Sequence, residues 1–80
     1  MNIDHMIKMA NEISAFWEGE SGHEAAAKEV ASHLRRFWEP RMRAQMITYY
    51  HQRQGAGLSD VAKQAVALLA AAEAKPAAAS

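Results

Sequence analysis

Apolar residues recur along this chain at three- and four-residue steps, and no segment alternates with period two. That spacing makes helices the only regular elements the sequence supports and sets the fold class as all-α. Ile3, Met6, Ile7, Ala10, Ile13 and Trp17 share one helical face behind Asn2, a residue suited to capping, so a first helix is predicted over about residues 3–18. Gly19 and Gly22 punctuate the next stretch. Ser21-Gly22-His23-Glu24 has the serine-to-glutamate spacing of a capping box, and a second helix follows with Ala27, Val30, Ala31, Leu34, Phe37 and Trp38 on its face. It should stop near Trp38, because Pro40 disfavours helical geometry at Glu39.

Pro40 suits the first turn of a third helix carrying Met42, Met46, Tyr49, Tyr50 and Arg53, which Gly55-Ala56-Gly57 ends. Ser59 then caps a fourth, with Leu58, Val61, Ala62, Ala65, Leu68, Leu69 and Ala72 in one stripe and Asp60 at the positive end of its dipole. The expectation is a small helical bundle of three main helices plus a shorter fourth helix. It forms a single helical domain over residues 1–74, with 75–80 as a frayed, flexible tail. Ile7, Ile13, Val30, Leu34 and one of Phe37 or Trp38 are expected in the shared core.

Such a core is thin. Of 80 residues 40 are apolar, but 18 of those are alanine, and Val, Ile, Leu and Phe together number only 13. A chain of this length buries only ~60% of the surface its unfolded form exposes, and one small core seldom gives more than ~3–5 kcal/mol. Small folds often add a staple. The absence of cysteine rules out a disulfide framework, an iron–sulfur cluster on cysteine ligands and a thiolate nucleophile together, which leaves a protein partner as the expected support.

Asp4, His5 and Lys8 interrupt the first nine residues, where a secretory signal would be apolar. The longest apolar run, residues 65–72, spans eight residues and is mostly alanine, too short for a membrane span. A soluble cytoplasmic protein with no membrane partner is therefore expected. Net charge is zero but unevenly laid down: residues 1–30 carry six acids and two lysines, for −4, and residues 31–53 five arginines and one acid, for +4.

Chemistry-bearing constellations are missing. His5, His23, His33 and His51 never fall three or four apart, the spacing a helical metal site needs, so no metal ligand is assigned. Glu18, Glu20 and Glu24 flank a glycine-bearing stretch with no apolar pocket in sequence to raise a carboxyl pKa, and they read as the charged entrance to the second helix. The serines lack a nucleophile elbow, and Gly55-Ala56-Gly57 lacks the lysine and strand of a phosphate loop. No catalytic or cofactor-binding residue is assigned. Phe-Trp-Glu occurs twice, at residues 16–18 and 37–39, and Ala10 and Ala31 share the 21-residue offset. Two matched helices account for this without a solenoid.

The informative segment is His33-Leu34-Arg35-Arg36-Phe37-Trp38-Glu39-Pro40-Arg41-Met42-Arg43, which places four arginines, two aromatics and a proline in nine residues. Interface cores are enriched in this mixture, because arginine offers five directed donors and tryptophan a large rigid face. The plain alternative is a solvated ion cluster worth little. Adjacent helical residues point about 100° apart, so one aromatic can enter the core while the other faces a partner. Arg35, Arg36, Phe37, Trp38, Pro40, Arg41 and Arg43 are the expected partner-binding residues, with Pro40 fixing the bend between them. Interleaved arginine and aromatics also suit a small nucleic-acid-binding protein. Zero net charge and an acidic first helix weigh against it, and no nucleic-acid partner is expected.

Within that segment the run Arg35-Arg36-Phe37-Trp38-Glu39-Pro40-Arg41-Met42-Arg43, with Ile7-Lys8-Met9-Ala10-Asn11 and Gly55-Ala56-Gly57-Leu58, resembles the delta subunit of bacterial NAD-dependent formate dehydrogenase over roughly residues 1–72. That resemblance implies a non-catalytic accessory subunit of a soluble molybdenum or tungsten enzyme that oxidises formate to carbon dioxide and reduces NAD. It implies a hetero-oligomer in which this chain docks on the large catalytic subunit to support assembly or stability. The bis-molybdopterin guanine dinucleotide, iron–sulfur clusters and FMN would then belong to other subunits, with no cofactor in this one.

Overall fold

The computed structural model describes residues 2–74, and within them four helices follow one another: α1 (Ile3–Ser21), α2 (His23–Phe37), α3 (Pro40–Arg53) and α4 (Asp60–Ala74). No strand occurs among the described residues. The expected tail over 75–80 lies outside them. Among the described residues no helix is long and apolar enough to cross a membrane.

Asn2 begins α1 as expected, its side-chain oxygen accepting the Asp4 amide at 2.7 Å. The helix then runs three residues past the predicted end, to Ser21, and the capping box does not form. The reason is Gly22. With φ 83° and ψ 172° it reverses the chain by itself, donating its amide to Glu18 and offering its carbonyl to Ala26, so Ser21 stays helical and has no capping role.

The buried seam of α1 is Met6, Ala10 and Ser14, one residue every turn, and not the expected Ile7 and Ile13, which are only half-buried against the core. Helix α2 packs on α1 and buries Ala26, Ala27, Val30, Ala31 and Leu34. Small residues on both sides let the backbones approach closely, which pushes the branched isoleucines to the flanks. Ser14 is tolerated in this seam because its hydroxyl donates to the Ala10 carbonyl at 2.7 Å. Val30 and Leu34 are fully buried, as expected.

Helix α4 has 15 residues, as many as α2 and one more than α3, so the expectation of a shorter fourth helix is corrected. It packs chiefly on α2 and also touches α3 and α1. Its buried stripe is Val61, Ala62, Ala65, Val66, Leu69 and Ala70, rotated from the predicted one, and Leu68 and Ala72 face outward. Ala62 and Ala65 let α4 lie close to the alanine-rich α2. The radius of gyration, 11.8 Å, is close to the ~11.6 Å expected of a compact 80-residue domain. Alanine, counted above as a weakness, is what closes the bundle.

Helix α3 is the peripheral element, with Met46 alone fully buried. Gln54 ends it in the left-handed region, followed by Gly55 at φ 72°, where an added Cβ would come within 3.2–3.3 Å of Lys63, Leu58 and Tyr50. Ser59 caps α4 as predicted, its hydroxyl accepting the Ala62 amide at 3.3 Å. Asn11 of α1 holds this loop from both ends of its amide, donating to the Gly57 carbonyl at 2.9 Å and accepting the Ser59 amide at 2.8 Å.

Candidate partner-docking corner

Helix α2 ends where the sequence indicates. Trp38, at φ −85° and ψ 139°, leaves the helix while its amide still bonds to Leu34, Glu39 is extended, and Pro40 opens α3. Although successive, α2 and α3 barely touch beyond this corner. Whatever fixes the angle between them must sit at the corner or reach it from elsewhere.

Two side chains do so. Trp38 turns under the corner and is 7% exposed, the inward aromatic of the pair. Arg43, one turn into α3, reaches back to donate through Nη1 to the carbonyls of Trp38 at 2.7 Å and Arg35 at 3.2 Å, neutralising the carbonyl end of α2. Its Nε donates to Glu73 Oε2 of α4, also at 2.7 Å. Arg43 thus joins α2, α3 and α4 through one half-buried guanidinium.

The outward aromatic is Phe37, 65% exposed. His33, one turn earlier, holds its ring at a centroid distance of 4.8 Å, and the Arg36 guanidinium carbon lies 5.5 Å from the ring centroid. Arg35, Arg36, Pro40 and Arg41 are exposed, the last two bordering an open depression with Glu39. Of the seven residues singled out in the sequence, five therefore face outward, while Trp38 and Arg43 are turned to building the corner. His33 begins the informative segment but is not among the expected partner-binding residues, although its four-residue spacing from Phe37 is legible; Glu73 is absent from that set because nothing local in the sequence connects it to the corner.

The charges are placed unequally. Arg35 and Arg36 stand in the last turn of α2, where the dipole favours them. Arg41 stands in the first turn of α3, which contains no acid, so it adds to the positive end of that dipole. A carboxylate arriving there would meet both. Among the described residues no group of three or more His, Cys, Asp or Glu is placed to hold a metal ion. The arrangement presents one exposed ring with guanidinium groups on either side of it.

A family model described as NADH-dependent formate dehydrogenase delta subunit FdsD matches residues 5–66, a span that takes in the whole corner. No curated protein and no solved structure matches the chain.

Proposed function

The chain belongs to the FdsD family of NADH-dependent formate dehydrogenase delta subunits, and from that premise we propose that it is a non-catalytic accessory subunit that docks on the large catalytic subunit through the α2–α3 corner. The supporting observation is the pairing of a rigid support with an unsatisfied face. Trp38 and Arg43 fix the corner from inside, while Phe37, Arg35, Arg36 and Arg41 stand exposed on it with Glu39 as the one acid of the segment. A preorganised aromatic anchor rimmed by arginines binds with little loss of side-chain freedom. Its complement is an acidic or carbonyl-rich surface with a pocket for one ring.

In this reading the chain stabilises or helps assemble the subunit that oxidises formate, and it works in the cytoplasm. The molybdenum or tungsten cofactor, iron–sulfur clusters, FMN and NAD site lie in other subunits. The isolated chain neither oxidises formate nor binds NAD.

Copurification with the other subunits tests the docking face. Arg36→Glu and Arg41→Glu should remain helical and soluble yet bind at least about 30-fold more weakly, the loss expected when an interface hot spot worth ~2 kcal/mol is removed. Lys28→Glu, an exposed charge reversal elsewhere on α2, should bind as the unaltered chain does. Arginine variants that bind at native strength would reduce the corner to a solvated face. An enzyme lacking this chain that keeps full activity and thermal stability would remove the accessory role.

A further inference from the structure

The two Phe-Trp-Glu segments, the first wholly inside α1 and the second across the end of α2, turn the same residue outward in different surroundings. In each the tryptophan packs toward the core, Trp17 half-buried and Trp38 buried, and in each the phenylalanine points out, Phe16 at 60% and Phe37 at 65% exposure. Phe37 stands among arginines. Phe16 has Glu12 one turn before it and Glu20 one turn after, and from Met9 to Ala27 the sequence has four glutamates and no lysine or arginine. Lys8, two turns back from Phe16, is the nearest cation along this side of α1.

Gly19 adds an independent observation. It lies within α1, three residues after Phe16 and on the side away from the Met6-Ala10-Ser14 seam, with ordinary helical backbone. A Cβ built on it meets no atom within 4 Å. Glycine is among the poorest helix formers, and nothing in this chain's own packing requires it here. It does bare the α1 backbone beside an exposed ring, which is how a second helix is admitted at close range.

We propose that the Phe16–Gly19 face of α1 is a second docking surface, and that its occupant is a basic helical segment of another subunit in the same assembly. The spacing of Glu12, Phe16, Gly19 and Glu20 forms a strip about two turns long, the footprint of one crossing helix. Phe16 enters between its side chains, Gly19 lets its backbone come near, and the two glutamates pair with lysine or arginine at the rim. A second copy of this chain would have to offer its own arginine corner. That contact joins unlike faces and does not close, so it would build open chains in place of a discrete complex.

This surface rests on the delta-subunit reading only in taking its occupant from the same enzyme. The probe is the enzyme lacking this chain, to which the unaltered chain and its variants are added back, with circular dichroism on each. Phe16→Ala and Gly19→Gln should each weaken binding at least tenfold without loss of helicity, as should the double variant Glu12→Lys/Glu20→Lys. Should Phe16→Ala fail to fold, Gly19→Gln decides, since it puts a better helix former into open space. Native affinity for Gly19→Gln and for folded Phe16→Ala overturns the second surface. If Arg36→Glu still binds weakly in that case, the corner reading stands without it; if Arg36→Glu also binds normally, both fall. Sedimentation adds one further outcome: self-association of the unaltered chain that Gly19→Gln abolishes, with affinity for the enzyme unchanged, assigns the face to a second copy and overturns the proposal.

Discussion

The chain turns twice between its first three helices, and the two turns are made of opposite materials. Between α1 and α2 the backbone of Gly22 makes the reversal, with no capping side chain and only the exposed His23 and Glu18 side chains, 3.5 Å apart, meeting across it. Between α2 and α3 side chains do it: a buried indole, a proline ring and a guanidinium that binds two carbonyls and an acid from the far end of the chain. A turn that only reverses direction can rest on one permissive residue. A turn that must present a face at a set angle is held from several sides, and only the second kind leaves an aromatic ring and arginines displayed on its outside.

The largest effect should come from breaking the side-chain turn at its centre. Trp38→Ala should cost about 3–5 kcal/mol, as much as the whole stability expected of so small a domain, and leave the chain largely unfolded in the absence of partners. Phe37→Ala, its exposed neighbour, should shift stability by no more than about 0.5 kcal/mol. Urea unfolding followed by circular dichroism measures both, and equal effects would erase the division into an inward and an outward aromatic.

Next comes the backbone turn. Gly22 sits in a region of φ and ψ that side chains scarcely enter, so Gly22→Ala should cost about 1–3 kcal/mol and favour a helix running straight on from α1 into α2. A urea midpoint unchanged from the unaltered chain would show that the glycine is a convenience and the reversal is imposed by packing.

The smallest effect sharpens the comparison most. Arg43→Ala should cost about 1–2 kcal/mol, because it leaves the Trp38 and Arg35 carbonyls without their donor as well as breaking the ion pair. Glu73→Ala, at a carboxylate one-third exposed, should cost less than about 1 kcal/mol. A double-mutant cycle should return a coupling of at least about 0.5 kcal/mol. Zero coupling would mean that α4 does not brace the corner.

Much of this was legible in the sequence where one residue type dictates the backbone. Asn2, Pro40 and Ser59 each act at the helix end where the sequence put them, and the Trp38–Pro40 break follows from the sterics of the residue before proline. The interior was less legible. Ile7 and Ile13 looked like the core of α1, but the helices meet along alanine and serine, and the burial of Ser14 depends on a bond to its own backbone that hydrophobic patterning does not register. The sequence underestimates the length of α1, because Gly19 reads as punctuation and the serine-to-glutamate spacing as a cap, whereas Gly19 stays helical and Gly22 makes the cap unnecessary. At the corner the sequence left open which aromatic turns inward. The extended backbone of Trp38 decides it, since leaving the helix swings that side chain beneath α2. The Arg43–Glu73 bond spans 30 residues, and no periodicity within a single helix points to a contact of that kind.

Glu73 lies near the end of α4, the last of the four helices to leave the ribosome. Without α4, α2 lacks one of the two helices it packs on, and Arg43 has no acid to draw it across the corner. A nascent chain at that stage displays apolar surface and an unbraced bend. Helix α4 supplies both the packing surface and the acid. On the docking reading, a chain cut after Ser59, in which Arg43 has no acid from α4, should bind the other subunits more weakly than the full chain does.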